Sequence, residues 1–179
     1  CAKTHIILKI KFNNILTIII PRHTNRIKKI TDNLSNLNLK ICLYSQIENM
    51  APNTDIILVD LYGEVEKFYN ISKCIFLGKS LIKSLIKDSG QNPIEPARLG
   101  RKVFHGPYVS NFLEIYHYLQ SLSISSEVVT PEDLSSQIVI EFNKNVNENT
   151  QNIKKIDDYG KNTLNSVMKE LKEYINIPR

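Results

Sequence analysis

Apolar residues recur along this chain in short β-branched runs separated by stretches with helical spacing, and that alternation sets the reading. Residues 16–20, Leu-Thr-Ile-Ile-Ile, form a dense run stopped by Pro21, as expected of a buried strand. Thr24 then caps a helix to about residue 38, with Ile27, Ile30, Leu34 and Leu37 at helical spacing and facing inward. Residues 39–44, 55–59, 73–77 and 102–105 read as four more strands, and Glu127-Val128-Val129 as a sixth. A short helix to about residue 70 follows the third strand. The segment 78–91 is a long loop with room for one helical turn at 81–86. Gly106-Pro107 opens a helix carrying Phe112, Ile115, Tyr116 and Leu119, and Pro131-Glu132-Asp133 occupies the first three positions of another. A last helix over about 157–174 sets Leu164, Val167, Met168, Leu171 and Ile175 on one face, after an Asn-rich irregular turn at 143–151. At residues 6–12 the periodicity does not separate a short helix from an edge strand.

Strands alternating with helices predict a parallel sheet covered on both faces, and so an α/β fold of one Rossmann-like domain. Residues 89–96, Ser-Gly-Gln-Asn-Pro-Ile-Glu-Pro, carry the sharpest local signal. Asn92 suits an N-cap, Pro93 the first helical position, and Glu95 the third, the pattern of a capping box. A loop that ends on a helix N-terminus also presents free N–H groups and a positive dipole end to an anion.

The length of 179 residues supports one well-cored domain, and 42% hydrophobic with 23% charged residues is ordinary for a globular protein. The net charge of +5 favours an acidic partner such as a nucleotide or an anionic lipid surface. The lysines are scattered, with no strip of interleaved basic and aromatic residues, so nucleic acid is not an expected partner. Cys1, Cys42 and Cys74 have neither metal-ligand spacing nor an even-numbered framework, and Cys42 and Cys74 read as buried thiols in a reducing compartment. No apolar run reaches the roughly 18 residues of a membrane-spanning helix.

In open α/β sheets ligands sit at the carboxyl ends of the strands. Four places qualify here: Pro21-Arg22-His23, residues 60–64, Asn92-Pro93-Ile94-Glu95, and Gly106-Pro107 with Asn111, all expected at one sheet edge. Arg22 suits a phosphate through its forked donors, or a surface carboxylate. His23 is either a capping or packed residue or a ligand contact. Gly63 allows close backbone approach or simply a turn, and Glu64 accepts from a ribose hydroxyl or favours a helix dipole. No GxGxxG, Walker loop, HExxH or nucleophile elbow is present.

Taken in order, Pro21-Arg22-His23, Tyr62-Gly63-Glu64, Gly78-x-Ser80-Leu81, Asn92-Pro93-Ile94-Glu95-Pro96, and Gly106-Pro107 with Asn111-Phe112 resemble the C-terminal, CMP-binding domain of Kdo transferases. These enzymes move 3-deoxy-D-manno-octulosonic acid (Kdo) from CMP-Kdo to a lipid A precursor in lipopolysaccharide biosynthesis. The resemblance runs from about residue 16 to residue 129. It implies the C-terminal half of a GT-B glycosyltransferase, in which residues 1–14 are a remnant of the interdomain segment. Residues 15–156 would be the nucleotide-sugar-binding domain, and 157–179 a helix packed on it or towards an N-terminal half. Carried over, Pro21, Arg22, Tyr62, Gly63 and Glu64 would meet the CMP. Asn92, Pro93, Ile94 and Glu95 would hold its phosphate at the helix N-terminus and its ribose through Glu95. His23, Gly78, Ser80 and Asn111 are further candidate contacts. The resemblance implies no metal and no cofactor, because Arg22 and the helix dipole can stabilise the departing CMP.

It further implies partners beyond CMP-Kdo: the lipid A precursor, bound through the N-terminal half, and the anionic surface of the bacterial inner membrane at its cytoplasmic face. The family's general base, a glutamate of the N-terminal half, would lie outside this sequence. Four departures stand out. Thr4-His5 runs directly into Ile6-Ile7 where the family has acidic residues, and residues 83–88 resemble an insertion. Gln91 stands where the family has His, and Lys79 where it has glycine. The alternatives are a degenerate or split-off donor-binding fragment and a basic module for anionic membranes.

Overall fold

A computed structural model describes residues 1–144 and 149–175. The chain divides into two compact units. One comprises Cys1–Lys73 with Val128–Asn143, the other Cys74–Glu127 with the chain from Lys144 onward.

In the first unit, β1 (Thr17–Ile19), β2 (Ile41–Leu43) and β3 (Ile56–Leu58) form a parallel sheet in the order β1-β3-β2. The central strand has to be apolar on both faces, and Ile56, Ile57 and Leu58 are all buried. Ile57, Val59 and Phe68 form the core, with Ile18, Ile20, Tyr44 and Ile47 packed against it. Helix α1 (Ala2–Lys9) settles the ambiguous N-terminal segment as helical. Its buried face is the unexpected Thr4-His5-Leu8, while Ile6 and Ile10 are exposed.

The helix expected from Thr24 is instead a 3₁₀ turn at Thr24–Arg26 followed by α2 (Ile27–Ser35). Thr24 caps nothing, since its hydroxyl goes to Tyr62. Leu34 is buried as expected, whereas Leu37 lies beyond the helix end and is 40% exposed. Helix α3 (Val65–Ile71) follows β3.

In the second unit, β4 (Cys74–Leu77), β5 (Lys102–His105) and β6 (Ser125–Glu127) form a second parallel sheet in that order. The pairing thus runs in two three-stranded ladders rather than one. The sixth strand sits two residues earlier than the expected Glu127-Val128-Val129. Register with β5 decides it: Val103, Phe104 and His105 pair with Ser125, Ser126 and Glu127, so backbone pairing outweighs β-branched density. The loop after β4 contains a 3₁₀ segment at Lys83–Asp88, two residues later than expected. Helix α4 (Ile94–Arg98) ends at Gly100, whose φ is +70°, and α5 (Leu113–Ser121) buries Tyr116 and Leu119. The expected strand-to-helix opening at Gly106-Pro107 leads first through a 3₁₀ turn at Ser110–Phe112.

Helix α6 (Pro131–Phe142), back in the first unit, begins as expected, with Pro131 in its first turn. Thr130 is its N-cap and accepts from the Asp133 amide at 3.0 Å, while Asp133 returns a carboxylate to the Val129 amide at 3.2 Å. Helix α7 (Asn149–Ile175) starts eight residues earlier than residue 157. Part of the expected irregular turn at 143–151 is therefore helical, and residues 145–148 lie outside the described residues. Ile156 packs with Ala97, Leu119 and Ile124, and Arg98 pairs with Asp157 at 3.0 Å. Further along α7, Leu164, Val167, Met168 and Leu171 remain about half exposed. The cysteines also differ from expectation: Cys42 and Cys74 are only half-buried and Cys1 is exposed. No helix among the described residues is long and apolar enough to cross a membrane.

Candidate functional site

Parallel strands deliver their following loops to one end of a sheet, so each sheet should gather its loops at the carboxyl ends of its strands. In the first unit the loops after β1 and β3 meet through Tyr62. Its hydroxyl accepts from the Thr24 hydroxyl at 3.0 Å and the Thr24 amide at 3.4 Å, and these two donors lower the phenol pKa. Thr24 was not among the residues expected at the site. Only the fold brings it against a tyrosine 38 positions away.

Around this contact Arg22, His23, Tyr62 and Gly63 are exposed, Pro21 is half-buried, and Gly63 has φ +82°. The Arg22 side chain makes no ion pair or hydrogen bond among the described residues, so the surface-pair reading of Arg22 is not realised. His23 precedes the Thr24–Arg26 turn without capping it through its ring. Glu64 is differently employed: it pairs with Lys67 at 2.6 Å and accepts from the Tyr44 hydroxyl at 3.4 Å. Nearby, burial pushes the Asp60 carboxyl up, but the Ser45 hydroxyl and amide at 2.6 and 2.9 Å outweigh this and hold it below its usual range. These bonds tie the segment after β2 to the segment after β3.

In the second unit the loops after β4 and β5 are joined by Ser80. Wholly buried, it donates to the Leu77 carbonyl at 2.7 Å and accepts from the Gly106 amide at 2.8 Å. Its carbonyl takes the Tyr108 amide at 2.9 Å. A side chain at Gly106 would place Cβ 2.2 Å from the Ser80 carbonyl oxygen, so glycine is required by the approach of two backbones. Gly78 is the opposite case. Its φ is ordinary and a Cβ there would meet nothing within 4 Å, so neither conformation nor packing among the described residues calls for glycine.

The far end of the loop is held as firmly. Buried Ser89 bonds to Ile86 and Ser110, the Asn111 amide donates to the Ser89 carbonyl, and Tyr116 donates to the Gln91 carbonyl at 2.9 Å. Behind it, His105 donates from Nδ1 to the Gly106 carbonyl at 2.8 Å, and its ring tilts against Tyr116. Burial lowers the His105 pKa.

Beyond these contacts the side chains of Asn92 and Glu95 are exposed. Asn92 Oδ1 accepts from the Ile94 amide at 3.0 Å, an Asx-type cap, and α4 starts one residue later than a capping box at Asn92 requires. Glu95 therefore does not serve as the returning carboxylate. It is exposed and makes no side-chain bond among the described residues. Pro93 is buried and Ile94 half-buried, whereas the Asn111 side chain is exposed. Of the four expected places, the first two are thus joined within the first unit and the last two within the second.

No family model matches the sequence. The 3-deoxy-D-manno-octulosonic acid transferase of Haemophilus influenzae is 33% identical over 137 residues, covering 76% of this chain and 31% of that protein. The corresponding transferase of Rickettsia conorii is 28% identical over 173 residues, 95% of this chain and 35% of that protein. The fold matches the C-terminal CMP-Kdo binding domain of WaaA from Acinetobacter baumannii with a TM-score of 0.66 at 21% identity, over 88% of this chain and 81% of that one. This chain is a relative of the Kdo transferases. It spans about a third of the length of the curated Kdo transferases it matches, and its fold is that of a C-terminal GT-B half. A bifunctional glycosyltransferase/methyltransferase of Fusobacterium nucleatum is 33% identical over 141 residues, 77% of this chain and 21% of that protein.

Proposed function

We propose that this chain is the donor-binding part of a Kdo transferase and holds the CMP moiety of CMP-Kdo. Relatives named Kdo transferase and a fold neighbour that binds CMP-Kdo support this reading. The observation that carries it is the state of Arg22 and Glu95. Both stand exposed after parallel strands with side chains unbonded among the described residues, although pairing and capping were the obvious structural uses for them.

In this reading Arg22 faces the phosphate with its forked donors, and Glu95 accepts from ribose hydroxyls. Pro21, Tyr62, Gly63, Asn92, Pro93 and Ile94 shape the surroundings, Gly78 leaves room for the nucleotide beside the chain, and His23, Ser80 and Asn111 stand at the margin. Glu64 takes part by holding Lys67 and Tyr44 in place. Transfer breaks the bond between the Kdo anomeric carbon and the phosphate oxygen, and CMP leaves with the electron pair. Arg22 stabilises the charge that develops there. The acceptor hydroxyl of a lipid A precursor forms the new bond and gives up its proton to a base supplied by the portion of the enzyme that this chain does not match. The reaction takes place at the cytoplasmic face of the inner membrane, against its anionic surface.

Calorimetric titration with CMP tests the assignment. Saturable binding that weakens at least tenfold in Arg22→Ala and in Glu95→Ala is expected, each variant removing a charge-assisted hydrogen bond of about 1.5–3 kcal/mol. Affinity unchanged in both variants would remove these residues from the site.

A further inference from the structure

Lys79 adopts a left-handed backbone conformation, with φ +58°, immediately after the carboxyl end of β4. A residue with a Cβ pays conformational free energy there that glycine does not, and such strain persists where its surroundings hold it and tends to gather at functional sites. Here the surroundings are rigid. The Lys79 carbonyl accepts from the Gly90 amide at 2.9 Å, and Ser80, the next residue, is the buried clamp described above. Gly90 lies two residues before Asn92, so Lys79 is tied directly to the backbone of the candidate nucleotide segment. On its other side Gly78 leaves open space beside the chain.

The lysine side chain is only 24% exposed and directs its ammonium to Asp88 at 3.0 Å, while the Asp88 side chain is 81% exposed. An ion pair with so exposed a partner contributes little to stability and does not by itself explain a lysine in a strained position. It does keep a cation ready beside the site, because an exposed carboxylate is easily replaced by a better-placed anion. We propose that Lys79 is an anion-binding residue of the donor site, its ammonium exchanging Asp88 for the phosphate of the CMP group. This rests on the donor-binding reading above and adds a cation to it within the second unit.

The test is calorimetry with CMP at low and moderate salt, on the chain itself and on Lys79→Gly, Lys79→Asn and Lys79→Arg. Glycine relieves the backbone strain and asparagine tolerates it, so both variants should melt no lower than the parent. Both should nevertheless bind CMP about tenfold more weakly, equivalent to about 1.4 kcal/mol, and with a shallower salt dependence. Lys79→Arg should bind within about twofold of the parent, as arginine keeps the charge. Parent-like affinity in the glycine and asparagine variants would overturn the assignment of Lys79 and leave donor binding intact. Equal weakening in the arginine variant would also overturn it, by making the effect one of shape. A parent chain that binds no CMP defeats the donor reading and this inference together.

Discussion

Gly106→Ala probes the contact on which the second unit's loops depend. The added Cβ would lie 2.2 Å from the Ser80 carbonyl oxygen and 2.6 Å from its carbon, where ordinary contact begins near 3.4 Å. The loops would have to part by the difference, 3.4 − 2.2, or about 1.2 Å. The Leu81 side chain, 2.7 Å away, could move aside, but the two nearest atoms belong to the Ser80 backbone and cannot yield without moving the loop. Overpacking of this kind costs about 1–3 kcal/mol. Parting the loops also stretches the 2.8 Å bond from the Gly106 amide to the buried Ser80 hydroxyl. Leaving such a buried group unsatisfied costs about 1–3 kcal/mol more. The total, about 2–6 kcal/mol, lowers the thermal midpoint by roughly 5–20 °C for a chain of this size. Gly78→Ala is the control: with ordinary φ and open space, it should stay within about 0.5 kcal/mol of the parent or gain slightly. Differential scanning calorimetry on both variants decides the matter. If Gly106→Ala melts within about 2 °C of the parent, the two loops are not held as described.

Stability should also depend on pH. Burial lowers the pKa of His5 and of His105, so between each folded-state value and about 6.5 the unfolded chain binds more protons. The thermal midpoint should therefore be highest above pH 6.5 and fall as pH drops below it; a midpoint flat from pH 7.5 to about 5 would contradict the burial of both imidazoles. A second fall is expected at lower pH, from Asp55. Burial pushes its carboxyl up, but Lys9 and the Lys40 amide outweigh this and hold it below its usual value, so its contribution is present above about pH 3.9 and is lost below. Separately, Thr130→Ala should cost about 1 kcal/mol by removing the cap of α6, measured by urea denaturation, and no change in the midpoint would mean that the cap is dispensable.

Much of the fold was legible because dense β-branched and apolar runs favour strands: 16–20, 55–59 and 73–77 each contain an observed strand. Where the expectation slipped, a long-range partner had decided. Ser125 and Ser126 carry no strand pattern, yet pairing with β5 places them in the ladder. The inward face of α1 is Thr4-His5 because His5 meets Thr17 at 2.8 Å and lies 3.5 Å from Asp55, polar contacts to which hydrophobic periodicity is blind. Spacing points to a capping box at Asn92 and Glu95, but reciprocal capping occurs at Thr130 and Asp133. At Asn92 a two-residue Asx turn satisfies the Ile94 amide first, which releases Glu95. The clamp of Ser80 on Gly106 spans 26 positions and has no local signature, although both residues belonged to the ordered motifs that suggested the family.

Gly78 offers the most direct measurement of the central claim, since nothing among the described residues requires it to be glycine. Calorimetric titration of the chain and of Gly78→Ala with CMP, beside their melting curves, separates a ligand's requirement from the fold's. Saturable binding by the parent, weakened at least tenfold in a variant that melts like it, is the expected result, as a Cβ would occupy the space the nucleotide approaches. Absence of CMP binding by the parent, or full affinity in the variant, would contradict a donor site at the end of β4.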